Sequence, residues 1–291
     1  MNSRRNFIKQ SALFVAGAAV LPAYAYSSFA KRPLGIQLYT LRDLIAKDVS
    51  AVLRKIAAIG YKEVETFDYH PKAGFWGLKA KDFAHLLKEN GLKAPSGHYA
   101  MDNFMAGKGQ DELKWYIDAA KETGGKYITI PWLDERVRKD ADGYRRCAEH
   151  FNEAGRICKD LGLKIGYHNH DFEFKQFDGK TGLNILIENT EKELVDFELD
   201  LYWAVRSGNN PINLLKTYPD RFSMFHVKDM DKTNKDLNTE IGKGAIDFKT
   251  ILAYAAKTGA KHYFVEQETN YKPNELDSVK TSFDYLQKLK L

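Results

Sequence analysis

The stretch Gly166-Tyr-His-Asn-His-Asp-Phe-Glu-Phe174 places two histidines and two acids within nine residues, directly after an apolar strand signal. Three comparable places lie downstream. Asp200 closes Val195-Asp-Phe-Glu-Leu-Asp, His226 sits in Phe222-Ser-Met-Phe-His-Val-Lys-Asp229, and Glu266 sits in His262-Tyr-Phe-Val-Glu-Gln-Glu268. Each is a side chain of metal-ligand type at the end of an apolar run. Two imidazoles with two carboxylates suit Mn²⁺, Co²⁺, Zn²⁺ or Fe²⁺ better than Ca²⁺, and Mg²⁺ stays among the candidates. The reading is one divalent ion held by His168, Asp200, His226 and Glu266, with His170 and Glu173 left open as the donor from the first stretch.

Each residue alone has a plainer role: a strand-end histidine is often a hydrogen-bonded structural group, Asp200 could cap a helix, and Glu266 could be a rim charge. Together they are harder to dismiss, because charges at successive strand ends are costly without partners. Period two along a strand sorts their neighbours. His168 shares a face with His170, Glu198 with Asp200, His226 with Lys228, and Glu266 with Glu268, while Asn169 points the other way. Glu266, His170 and Lys228 are the expected proton-moving groups. Lys228 is equally suited to an ion pair with Asp229 or with a carboxylate across the site. Tyr39, Glu65, His98, Trp203 and Glu173 are the expected substrate contacts. Trp76, Trp132, Tyr167, Phe172 and Phe174 fall near the same ends, where aromatic faces suit sugar rings, although core packing explains at least half of them.

Convergence of these groups needs a scaffold that brings strand ends together. Strand signals cover 34–40, 63–67, 93–98, 127–131, 164–170, 195–200, 222–228 and 263–267, and helical patterns follow at about 49–59, 80–90, 110–123, 142–161, 182–189, 210–217, 247–258 and 276–289. The helix over 142–161 has an apolar stripe of Cys147, Phe151, Ala154, Ile157, Cys158 and Leu161. Five joints, at Gly60, Gly91, Gly124, Gly162 and Gly259, repeat a glycine between helix end and strand start, where a left-handed cap is needed. Eight strand–helix units predict a single (β/α)8 TIM barrel with its chemistry at the C-terminal strand ends. An open doubly wound sheet is the alternative, but no G-x-G-x-x-G follows the first strand. The stretch 229–240 reads as a loop over the active face.

The chain has 291 residues and a formal charge of +5. Three of its positive charges, Arg4, Arg5 and Lys9, lie in the first 25 residues, which hold no acid. The remainder is close to neutral, with no footprint for nucleic acid or anionic lipid. Residues 1–25 read as a twin-arginine export signal: Ser3-Arg-Arg-Asn-Phe-Ile-Lys9, an apolar run over 12–21, and the cleavage site Ala23-Tyr-Ala25. The expectation is a periplasmic protein without a stable membrane anchor, the barrel running over 34–291. Its partner is a small carbohydrate, and a homo-oligomer is left open. Cys147 and Cys158 are eleven positions apart on one helix, roughly 16 Å, too far for a disulfide.

From Leu34 onward the chain resembles the sugar phosphate isomerase/epimerase family, the xylose-isomerase-like TIM barrels. The matching motifs are 166–174, Glu-Leu-Asp-Leu-Tyr-Trp over 198–203, His-Val-Lys-Asp-Met over 226–230, Ile-Gly-Lys-Gly-Ala-Ile-Asp-Phe over 241–248 and Val-Glu-Gln-Glu over 265–268. The resemblance implies a divalent metal on four strand ends, and proton abstraction beside a carbonyl through an enediolate. Many members have a Glu as first ligand, where this chain has His168, and an Asp-Thr-Gly-His run where it has Asp200-Leu-Tyr-Trp203. The leading expectation is a metal-dependent carbohydrate isomerase or epimerase. The alternatives are β-elimination, as in 3-keto-glycoside lyases and inosose dehydratases, and a non-catalytic sugar-binding barrel. A DNA-repair endonuclease on the same barrel needs more metal ligands and more positive charge than the chain supplies.

Overall fold

The computed structural model describes residues 32–289, so the expected export signal lies outside the described residues. Eight parallel strands close into a barrel: β1 Leu34–Gln37, β2 Glu63–Thr66, β3 Lys93–His98, β4 Tyr127–Ile130, β5 Lys164–His168, β6 Val195–Asp200, β7 Phe222–Val227 and β8 His262–Val265. Each pairs with its neighbours in sequence, and β8 closes onto β1 through Leu34–Tyr263, Gly35–Phe264 and Ile36–Val265. The outer helices are α1 Val49–Ile59, α2 Ala80–Glu89, α3 Gln110–Thr123, α4 Ala141–Lys159, α5 Gly182–Glu188, α6 Pro211–Thr217, α7 Phe248–Ala255 and α8 Glu275–Lys288. The single (β/α)8 barrel is the architecture expected from the alternating pattern. None of the described helices is long and apolar enough to cross a membrane.

Local chemistry sets the boundaries. Asp48 and Asp140 cap α1 and α4 by accepting the N–H of Ala51 and Gly143, and Thr181 and Asn184 form a reciprocal capping box on α5. At the end of α3, Gly124 has φ 75°, and its N–H reaches back to Ala120 and Lys121. The other four joint glycines also have positive φ.

The structure departs from the sequence pattern in four places. The helix Leu201–Arg206 follows β6 directly, because Asp200 caps it. On α4 the buried face is Tyr144, Cys147, Ala148, Phe151, Ala154, Gly155 and Cys158, whereas Ile157 is exposed and Leu161 lies exposed beyond the helix end. The fifth strand stops at His168, so His170 sits on a turn. The stretch after β7 is a small ribbon, Asp229–Met230 against Asn238–Thr239. There the Asp229 carboxylate accepts the backbone N–H groups of Met230, Gly242, Gly244 and Ile246.

Outward-facing strand residues such as Val64, Ile128, Ile165, Leu199 and Phe225 join the main core beneath the helices. Inside the barrel, Tyr127, Met224 and Phe264 make a separate apolar plug. Two glycines leave room for it. A β-carbon on Gly35 would lie 2.5 Å from the Phe264 ring, and one on Gly166 would lie 2.4 Å from Thr129 Oγ1 and 2.9 Å from Met224 Cε. Gly166→Ala therefore overpacks the plug and lowers stability by about 1–3 kcal/mol. A urea melt checks this: the midpoint falls with an unchanged slope, and an unchanged midpoint refutes the tight packing.

Candidate functional site

The C-terminal strand ends bring His168, Asp200, His226 and Glu266 together. All four are buried, and each offers a ligand atom within 4.8 Å of the others. The local backbone aims them. Asp200 Oδ1 accepts the Trp203 N–H at 2.9 Å as the cap of the following helix, and the Asp200 N–H donates to Asn169 Oδ1 at 3.1 Å. Its Oδ2 is left facing His168 Nε2 at 3.4 Å and His226 Nδ1 at 3.8 Å. His226 Nδ1 also lies 3.0 Å from Glu266 Oε2. The capping role and the donor role thus fall on different oxygens of one carboxylate.

Electrostatics suit this set to a cation. Burial, reinforced by the charges of His226 and His98, holds His168 well below the ordinary imidazole range. His168 Nδ1 lies 3.4 Å from the Pro131 carbonyl, which can only accept, so Nε2 keeps the lone pair. Burial would raise Glu266, but the charges of Lys228 and His226 outweigh it and hold it well below the carboxylate range. Burial raises Asp200. Two imidazoles and two carboxylates on rigid strand ends carry the charge and donor types of a divalent transition-metal site, so the residues fit the ion expected from the sequence.

A second group lies against the first and shares His226: Glu65, His98, Glu198 and His226, again within 4.8 Å of one another. His98 Nε2 is 2.9 Å from Glu198 and 3.2 Å from Glu65, and His226 Nε2 is 2.7 Å from Glu65 and 3.2 Å from Glu198. Burial and then the Glu65 charge push the Glu198 carboxyl up to about 7. Burial would raise Glu65 as well, but His98 and His226 hold it well below the ordinary range. Glu198 is the residue that reading by motif underrated. Period two already placed it on the face of Asp200.

A cavity of ≈ 650 Å³ opens above these groups, lined by the polar side chains of Asp68, His98, His168, His170, Glu266 and Glu268 and by the aromatic rings of Tyr39, Phe67, Tyr69, Tyr99, Tyr116 and Trp132. Of the expected substrate contacts, Tyr39 and His98 stand in the wall, while Glu65 lies fully buried below it. Trp203 stands behind His170, with ring centres 5.4 Å apart. Of the other aromatics singled out from sequence, Trp132 alone lines the wall; Trp76 packs on Phe67 and Phe83, and Tyr167 on Phe151. Lys228 is fully buried and pairs with Glu266 at 3.1 Å and Glu268 at 2.7 Å, not with Asp229. Glu268, on the wall beside it, carries no sequence signal beyond sharing a face with Glu266. Burial and then the His168 charge keep the His170 ring well below the imidazole range, and its Nδ1 is buried without a partner.

Glu173 is a correction. Its carboxylate is fully buried outside the cavity wall, accepting the Tyr167 hydroxyl and the His170 N–H. The turn after His168 breaks the strand alternation, and the following helical turn carries Glu173 down beside the outward-facing Tyr167. It braces the turn that carries His170 and is in no position to touch a substrate or a shared metal.

The sequence matches the xylose isomerase-like TIM barrel family over residues 53–289. The chain belongs to that family. Among its relatives, the inosose dehydratase of Geobacillus kaustophilus is 30% identical over 221 residues, covering 69% of this chain and 67% of that protein. A crystal structure of a sugar phosphate isomerase/epimerase from Parabacteroides distasonis superposes with a TM-score of 0.79 at 28% identity, covering 89% of this chain and 96% of that one. The fold also matches the IolI protein with a bound zinc atom, at a TM-score of 0.70 and 16% identity over 89% of this chain and 99% of that one. As a xylose isomerase-like barrel with such relatives, the chain is an enzyme of the sugar isomerase, epimerase or lyase kind.

Burial pushes the Glu173 carboxyl up to about 7. The folded chain therefore holds this proton more tightly than the unfolded chain, and the group costs stability as pH rises from the ordinary glutamate value through 7. Glu173→Gln cannot ionise. Its stability relative to wild type should improve between pH 5 and pH 8, by up to about 3 kcal/mol. Denaturant melts at the two pH values test this; a pH-independent difference would show that the carboxylate is not desolvated.

Proposed function

We propose that this protein is a divalent-metal-dependent lyase that removes the proton beside the carbonyl of a cyclic polyhydroxy ketone and expels the group on the next carbon. The observation that carries the reading is the His168, Asp200, His226, Glu266 donor set opening onto the cavity with a histidine, not a glutamate, at the end of the fifth strand. Exchanging a proton between two faces of a sugar with two carboxylates needs a glutamate opposite Glu266. The fifth strand supplies His168 instead, and Glu173 is turned away. The relatives named inosose dehydratases support elimination.

His168, Asp200, His226 and Glu266 are the residues that would hold the ion. A bound ion supplies Lewis acidity, polarising the carbonyl and stabilising the enediolate. His170 is neutral and stands in the cavity wall, so its imidazole is the group to take the α-proton. The electron pair of the broken C–H bond becomes the new C=C bond, and the β C–O bond breaks. The leaving oxygen takes a proton from the Glu268 carboxyl, which stands in the cavity wall and is raised by burial, and the proton held on His170 returns to Glu268 through solvent after product leaves, so the ketone loses one molecule of water or alcohol. Trp203 and the Glu266–Glu268 pair hold Lys228 in place, its Nζ 5.4 Å from the Trp203 ring centre. The aromatic wall, Tyr39 and Trp132 included, stacks on the ring face, and His98 borders the same space.

A second reading, a 3-keto glycoside losing its anomeric group, is favoured by the size of the cavity, ≈ 650 Å³, and by the aromatic residues that line it. It also agrees with the periplasmic export expected from residues 1–25, since glycosides are met there more often than sugar phosphates.

Mass analysis in deuterated buffer separates the reactions. Wild-type enzyme with an inosose or a 3-keto glucoside should yield product lighter by water or alcohol. Solvent deuterium in a ketone of otherwise unchanged composition would make it an isomerase or epimerase instead. His170→Ala should lower kcat by 10²–10⁴-fold. Asp200→Ala should abolish both turnover and metal retention, and turnover by a metal-free Asp200→Ala chain would end the metal reading. Metal affinity should rise with pH between 6 and 8. Burial opposes the His226 proton, but Glu198 and Glu266 outweigh it and hold His226 well above the imidazole range, so the ion must displace that proton, by at most about tenfold per pH unit.

A further inference from the structure

His226 presents one ring nitrogen to each of the two charged groups. Nδ1 faces Glu266 and Asp200 at 3.0 and 3.8 Å, and Nε2 faces Glu65 and Glu198 at 2.7 and 3.2 Å. An imidazole that binds a cation through one nitrogen keeps its proton on the other, and that N–H requires an acceptor. Both groups have the residue types of a metal site, so the direction of His226 decides which of them is one.

We infer that Glu65 and Glu198 are positioning residues that hold His226 as the Nε2–H tautomer, leaving the Nδ1 lone pair for the metal, and that their own cluster takes no ion. The inference rests on the metal reading above. Glu65 carries most of the argument. Its Oε1 accepts the Ser96 hydroxyl at 2.5 Å, and its Oε2 accepts the Gln37 side-chain N–H at 2.8 Å besides facing His226 at 2.7 Å. Gln37, His226 and, at 3.2 Å, His98 all face Oε2, so that oxygen has no lone pair left for a cation. Ser96 and Gln37 also fix the carboxylate in place, with Ser96 in turn 2.8 Å from Thr129 Oγ1. His98 lies between the two acids and donates toward them, 2.9 Å from Glu198 and 3.2 Å from Glu65, so its Nε2 is committed below the cavity and is not a base for substrate.

Access points the same way. His168 and Glu266 stand in the cavity wall, so an ion on Nδ1 meets substrate, whereas Glu65, Glu198 and His226 are fully buried and absent from the wall. A carboxylate behind a metal-bound imidazole raises its basicity and fixes its ring, and losing such a partner typically weakens metal binding 10–100-fold.

The test uses the full mature chain, ¹⁵N-labelled at histidine and loaded with Zn²⁺. Long-range ¹H–¹⁵N correlation should show His226 protonated at Nε2 and metal-shifted at Nδ1. Chelator competition should give a Zn²⁺ Kd at least tenfold weaker for Glu65→Gln, with a smaller loss for Glu198→Gln and an unchanged far-ultraviolet circular dichroism spectrum. Gln37→Leu, which frees one lone pair on Glu65 without removing its charge, should keep the wild-type tautomer. Zinc on Nε2 with the proton on Nδ1 overturns the inference while leaving the metal reading intact, as does an unchanged Kd in both glutamine variants. A wild-type chain that binds no Zn²⁺ removes the metal reading and the inference together.

Discussion

Four carboxylates, Glu65, Glu198, Asp200 and Glu266, are buried within one small region at the barrel mouth. Removing a carboxylate from water costs several kcal/mol unless opposite charge and hydrogen bonds replace the lost solvation. The rest of the site follows from that constraint. His226 touches all four acids, His98 bridges the inner two, and Lys228 serves Glu266 from the other side. One imidazole common to both groups makes them a single unit, so a change in the protonation or ligation of His226 is felt at every acid.

The scaffold can place these groups because β-strand geometry fixes where a side chain leaves the barrel, and β6 to β8 deliver their donors in register. Asp200 pairs with His226, and His226 with Phe264, across the parallel ladder. Beneath them the apolar plug keeps the interior shut, and Gly35 and Gly166 give up side chains so that Phe264 and Met224 can fill it. The cost of packing large residues at the centre is thus met by leaving small ones beside them. The polar layer rests on this floor.

The fold was legible because its signals are local and repeated. Eight apolar runs and glycine joints each report their own geometry, and their alternation admits few architectures. The strand-end donors were legible for the same reason, since a chemically active side chain closing an apolar run stands out. What failed was extrapolation past a strand end. Period two applied to 164–170 put His170 on the face of His168, and Glu173, just beyond, stayed open as an alternative donor. The chain instead turns at Asn169, whose Oδ1 is tied to the Asp200 N–H, and the next helical turn carries Glu173 behind the barrel wall. The stripe expected on α4 failed at two positions, as Ile157 faces away from the barrel and Leu161 lies beyond the helix end. The aromatic wall from Tyr69, Tyr99 and Tyr116 had no local signal, because a ribbon strand, a loop and the helix α3 from different units bring these residues together.

Asp200 shows why weighing a structural role against a functional one can mislead. A helix cap uses one carboxylate oxygen, and metal ligation uses another. Oδ1 holds the N-terminus of Leu201–Arg206, and that bond fixes the carboxylate plane so that Oδ2 faces His168 and His226. A free aspartate would have to lose rotamer freedom on binding an ion, whereas this one is already immobilised by the cap. The same helix carries Trp203, which lies beside His170 and under Lys228, so the residue that aims a donor oxygen also starts the element that backs the proton-moving groups. The short helix after β6 is therefore part of the site's construction, and the strand-end aspartate is placed where both tasks can be met at once.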